Sequence, residues 1–155
     1  MLQPVKKTKA GKTSGTFAIV ASRYNARYVD GMLNAAAAEL KRTGAKVQII
    51  RVPGAYEIPV VAAKLASQLR ATRPAAIICL GVILRGETTH AQHIGEAVSQ
   101  ALMQIQLQHG VPVIHEVLLL ENEKQASARC LNPKHNRGVE AAQTALEMAR
   151  VMATL

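Results

Sequence analysis

A chain of 155 residues, 49% of them hydrophobic, is long enough for one domain with a substantial core and short for two. Its formal charge of +9 leaves an anionic ligand or a basic surface open, but one Phe, three Tyr and no Trp supply few rings for stacking on nucleic acid, which is not an expected partner. Two cysteines without metal-ligand spacing, no amino-terminal apolar run and no stretch near the ~20 apolar residues of a membrane span argue against a disulfide framework, a zinc site, a secretory leader and a membrane helix, and point to a cytoplasmic enzyme or assembly subunit.

Residues 1–15 read as a flexible basic tail, with Lys6, Lys7, Lys9 and Lys12 among Gly11, Ser14 and Gly15, ahead of a single domain over 16–155. Gly11-Lys12-Thr13 resembles the end of a phosphate-binding P-loop. Position 6 is Lys where that motif needs Gly, however, and the fragment precedes a strand instead of following one. Thr16 to Ala21 reads as the first strand. Ala26 to Arg42 follows as a helix stopped by Gly44. Val47 to Val52 is the second strand, and Pro53-Gly54 then turns the chain into a helix over Ile58 to Leu69. Ala75 to Leu80 is the third strand, with Cys79 as a small buried hydrophobe. A long helix should start near Thr88 and end before Gly110, because Ile94, Val98, Ala101, Leu102 and Ile105 share a face. Pro112 to Leu119 is the fourth strand, Asn122 to Cys130 a short helix, and Val139 to Met152 the last helix.

Strands alternating with helices predict an α/β fold, a parallel sheet covered on both faces and wound by right-handed crossovers. Such folds bind ligands at the carboxyl ends of their strands. Four segments follow the four expected strands: Ser22 to Asn25, Val52 to Glu57, Gly81 to His90, and a stretch from about Glu116 into the helix that bears Arg129. The third is the most informative. A glycine-containing loop running into a helix offers free N–H groups to an anion, and Thr88 or Thr89 can cap that helix. His90 falls in its first turn and is the side-chain type that exchanges protons near neutrality. Arg129 has the fork geometry for a bidentate phosphate contact. An ordinary turn with a capping Thr and a surface His fits the same spacing. Tyr24 and Tyr56 each follow a strand, where a ring either stacks on a heterocycle or plugs the end of the sheet. Glu57 suits the start of the second helix, as a cap or ion-pair partner, better than it suits catalysis.

Taken together, VPGAYEIP (52–59), GVILRGETTH (81–90), QASARC (125–130) and HNRG (135–138) resemble the lumazine synthase family, with similarity from about Phe17 to Met152. The resemblance implies a flavodoxin-like three-layer sandwich with a four-stranded parallel sheet. It implies homopentamers, often twelve of them forming an icosahedral shell of 60 subunits, with active sites between neighbours. The implied reaction joins 5-amino-6-ribitylaminouracil to 3,4-dihydroxy-2-butanone 4-phosphate, with no metal or organic cofactor. By position, Tyr24 matches the aromatic on the pyrimidine, and Ala55, Tyr56 and Glu57 match the ribityl-binding segment. Val82, Ile83 and Leu84 match the strand end at the pyrimidine edge. Gly86, Glu87 and Thr88 match the loop around the phosphate-bearing substrate, His90 the proton donor and Arg129 the phosphate-binding arginine.

Two positions depart from the family pattern. His115 stands where Phe is common, at a position that contacts the pyrimidine from a neighbouring subunit, and it adds a titratable group. Arg137 stands where Lys is usual, keeping the charge with a different hydrogen-bond geometry. Both bear on substrate affinity more than on reaction type. The alternative is a catalytically weak or engineered shell subunit on the same fold. Retention of Tyr24, His90 and Arg129 together favours an active enzyme.

Overall fold

The computed structural model describes residues 2–6 and 11–155; Met1 and residues 7–10, with Lys7 and Lys9 of the basic tail, lie outside the described residues. Strand β1 (Thr16–Ser22) leads into α1 (Ala26–Arg42), and β2 (Lys46–Val52) into a 3₁₀ turn (Ala55–Glu57) and α2 (Ile58–Ala66). Then come β3 (Ala76–Leu84), α3 (His90–His109), β4 (Val113–Leu120), α4 (Glu123–Cys130) and α5 (Arg137–Ala153). All neighbouring strands pair in parallel, in the order β2-β1-β3-β4. The result is the three-layer α/β arrangement expected from alternating strands and helices. Among the described residues no helix is long and apolar enough to cross a membrane.

The central strands are apolar on both faces, and their side chains divide with a period of two. Phe17, Ile19, Ile78 and Leu80 point into a core shared with α1, α4 and α5. Ala18, Val20, Ile77 and Cys79 point into a second core, shared with α2 and α3. Burial pushes the Cys79 thiol far up, which leaves it an inert hydrophobe. Helix α1 buries Val29, Met32, Leu33, Ala36 and Leu40, a stripe at spacings of three and four. Its partners approach closely at two glycines. A Cβ on Gly138 of α5 would land on the Met32 carbonyl, and one on Gly31 of α1 would lie 2.6 Å from the Cys130 carbonyl oxygen.

Boundaries differ from the sequence reading at several points. Strand β3 runs past Gly81 to Leu84, because Gly81–Leu84 pair with Val117–Leu120. Glu116, expected to open a segment after β4, lies inside that strand. Helix α2 stops at Ala66, short of Leu69, and Ser67 Oγ closes its end by donating to the Lys64 carbonyl at 3.1 Å. Helix α5 starts at Arg137, two residues ahead of the expected Val139, because Asn136 Oδ1 caps it by accepting the Gly138 N–H at 2.8 Å. Of the amino-terminal segment, residues 3–6 lie along the α4–α5 turn and the start of α5. There the Val5 N–H donates to the Lys134 carbonyl at 2.9 Å, and the Lys6 carbonyl accepts from Gln143 Nε2 at 2.9 Å.

Candidate active site

The carboxyl ends of β1, β2 and β3 open into a cleft of about 950 Å³, on the face covered by α2 and α3. Local chain geometry explains its rim. After β1, Asn25 adopts a left-handed conformation (φ 56°), and it is the one non-glycine residue to do so among the described residues. Asn tolerates this region better than most residues. Its Nδ2 donates to the Val82 carbonyl at 2.7 Å, tying the turn to the end of β3. The Tyr24 N–H donates to the Pro53 carbonyl at 3.0 Å, so the loops after β1 and β2 are joined as well. This bracing holds the Tyr24 ring out at the cleft, 74% exposed; Tyr56, on the 3₁₀ turn, is 64% exposed. Both rings therefore line an opening, and neither plugs the sheet.

The opposite wall is the start of α3. Thr89 occupies the N-cap position without a side-chain cap bond. Thr88 takes that part instead, its Oγ1 accepting the His90 N–H at 3.4 Å. The first N–H groups of a helix have no partners within it and carry partial positive charge. Here His90 and Ala91, which open the helix, line the cleft beside Gly86 and Thr88, and His90 is exposed. The floor is apolar, with Ala55, Val82, Ile83, Leu84 and Ile94. One wall thus suits an anion and a proton donor, and the floor and rim suit a flat ring.

Ten of the sequence-predicted residues meet in this cleft: Tyr24, Ala55, Tyr56, Glu57, Val82, Ile83, Leu84, Gly86, Thr88 and His90. His93, Ala91 and Ala97 also line it and were missed. The spacing of His93 from His90, three residues along a helix, carried that signal.

Glu87, His115, Arg129 and Arg137 do not line the cleft. His115 lies on β4, beyond α3. Ser99 Oγ donates to the Gly95 carbonyl at 2.7 Å, so it accepts from His115 Nε2 at 2.8 Å, which leaves His115 Nδ1 to accept the Val117 N–H at 3.4 Å. That pattern selects the tautomer with its proton on Nε2. Arg129 lies in the last turn of α4, which packs on α1 across the opposite face of the sheet. It is half-buried, with no ion pair among the described residues. Arg137 opens α5 on that same face and pairs with Glu116 and Glu140.

Comparison with known proteins bears on the same segments. A family profile described as 6,7-dimethyl-8-ribityllumazine synthase matches residues 14–153. A protein of that name from Stenotrophomonas maltophilia (strain R551-3) is 43% identical over 145 residues, covering 92% of each chain. Another, from Xanthomonas campestris pv. campestris (strain B100), is 40% identical over 146 residues, covering 92% of this chain and 93% of its own. A third, from Xanthomonas oryzae pv. oryzae (strain PXO99A), is 42% identical over 142 residues and 90% of each.

Proposed function

The chain belongs to the 6,7-dimethyl-8-ribityllumazine synthase family, and on that premise we propose that the α2–α3 cleft is one half of an active site whose other half comes from a second copy of the chain. The reaction is the condensation step of riboflavin biosynthesis. The amine of 5-amino-6-ribitylaminouracil attacks the ketone of 3,4-dihydroxy-2-butanone 4-phosphate, phosphate is eliminated, and the ring closes with loss of water.

The observation that carries the reading is the division of the site residues. Ring-binding and proton-transfer groups share one cleft, while Arg129 sits across the sheet from it. On this reading the Tyr24 ring stacks on the pyrimidine, whose edge meets Val82, Ile83 and Leu84. Ala55, Tyr56 and Glu57 hold the ribityl chain. Gly86, Glu87, Thr88 and the free N–H groups of α3 receive the phosphate-bearing substrate, as helix N-termini receive anions. His90 supplies a proton to the departing groups. A neighbouring copy brings Arg129 to the phosphate, His115 to the pyrimidine, and Arg137 close by.

A head-to-tail contact that closes makes a ring; the family resemblance makes that ring a pentamer, and twelve pentamers would build a shell of 60 subunits. Both thiols are free and buried, which suits the reducing cytoplasm. An absorbance assay for lumazine, on protein first sized by light scattering, tests the function. Product above the uncatalysed background, from particles whose mass is a multiple of five chains, is the expected result. A particle of that mass without product would replace this reading with that of a shell subunit.

A further inference from the structure

A cluster of charge lies on the sheet face opposite the cleft. Glu116 projects from β4 with its side chain only 7% exposed. Its Oε2 accepts from Arg137 Nε at 3.2 Å, and its Oε1 accepts from Arg137 Nη2 at 3.1 Å. Glu140, one helical turn further along α5, accepts from Nη1 at 2.7 Å. Two carboxylates thus take three of the five N–H donors of the guanidinium. One hydrogen remains on each terminal nitrogen, and the Arg137 side chain stays 34% exposed. From α4, Cys130 feels the Glu116 charge and has Arg129 beside it. Burial pushes the Cys130 thiol up to about 12, so it stays neutral.

With both carboxylates ionised, the triad carries one net negative charge around its only cation. Coulomb attraction falls only as the inverse of distance, so two carboxylates behind a guanidinium cancel most of its pull on an anion in front. We propose that Glu116 masks Arg137 and so sets the affinity for the phosphate-bearing substrate, Arg137 holding that anion only when Glu116 has lost its charge. The inference rests on the reading that this substrate binds at the shared site. Burial supports it by pushing the Glu116 carboxyl up to about 7 despite the opposing pull of Arg137. As pH falls through that value, Glu116 takes up a proton, the triad becomes neutral, and the free edge of Arg137 gains attraction for an anion. As pH rises, the mask returns and the Michaelis constant for the phosphate-bearing substrate climbs.

The test is steady-state kinetics of the assembled enzyme from pH 6 to 8, for the parent, Glu116→Gln, Glu140→Gln and Glu116→Gln combined with Arg137→Ala. At pH 8, Glu116→Gln should lower the Michaelis constant for the phosphate-bearing substrate about three- to fivefold, the scale of one screened charge interaction. Turnover and the constant for the other substrate should hold. The gain should shrink at pH 6, and adding Arg137→Ala should abolish it. Glu140→Gln, at an exposed carboxylate, should give a smaller change of the same sign, and it carries the test if Glu116→Gln fails to assemble. Competitive inhibition by inorganic phosphate should tighten in parallel. An active parent whose Glu116→Gln variant binds the phosphate-bearing substrate equally or more weakly at pH 8 would overturn the masking role alone. A parent that makes no lumazine would overturn the functional reading beneath it.

Discussion

The open cleft between α2 and α3 and the packed corner where α4 meets α5 have opposite chemistry. The cleft presents two exposed rings, an apolar floor and a helix start, and no cleft-lining side chain joins an ion pair among the described residues. The corner holds Arg129 and Arg137, a buried carboxylate, and glycines that let helix backbones touch. A flat heterocycle needs open apolar surface, while a phosphate needs cations held still. Each half of this chain meets one need, and the sheet separates them. On the proposed reading, that difference is why a complete site draws on two copies.

Breaking the packed corner should have the largest effect. Gly138→Ala puts a methyl group on the Met32 carbonyl. Helix α5 must then move off α1, at a cost of about 3 kcal/mol or more. Thermal denaturation should show a large drop in midpoint or no folded protein. Gly86→Ala, with nothing within 4 Å of the new methyl group, should leave the midpoint unchanged. On the cleft side, His90→Ala should slow turnover about 100-fold, the low end for general acid–base help. Single-turnover absorbance kinetics would check this, and a variant as fast as the parent removes His90 from proton transfer. Arg129→Ala should raise the Michaelis constant for the phosphate-bearing substrate about 10- to 100-fold, the value of a charge-assisted hydrogen bond or two. Turnover should change little, which separates the corner's role from that of His90. Tyr24→Ala should weaken only the ribitylaminouracil substrate, about fivefold for a lost stacking contact; a matching loss for the other substrate would contradict the assigned division.

Much of the cleft was legible in the sequence because its residues follow strands directly, and strand ends are where such folds bind ligands. Helix α1 was legible with its bounds as they stand, from Ala26 to Arg42, with Gly44 as its stop. Strand β3 was cut short at Gly81, because a glycine after an apolar run signals a loop. Here it signals crowding, since a Cβ at that position would meet Val117, Ile58 and Ala55 at 3.2–3.4 Å. The Glu116–Arg137 pair was beyond reading. Its members are 21 residues apart, joined only by the folding of α5 onto β4. The side of the sheet that receives Arg129 was hidden for the same reason: it depends on the Gly31–Cys130 contact between α1 and α4.

Subunit mixing tests the two-copy site most directly. Gly86→Trp fills the cleft with a side chain the fold can accommodate, and Arg129→Ala disables the corner; each assembly alone should be nearly inactive. Dissociated together and reassembled in equal amounts, they should recover about one quarter of parental activity, since one in four contacts around a randomly mixed ring joins an intact cleft to an intact Arg129. Activity no greater than that of the two variants assayed apart would show that the cleft and Arg129 do not meet across a subunit contact, and the account would fail.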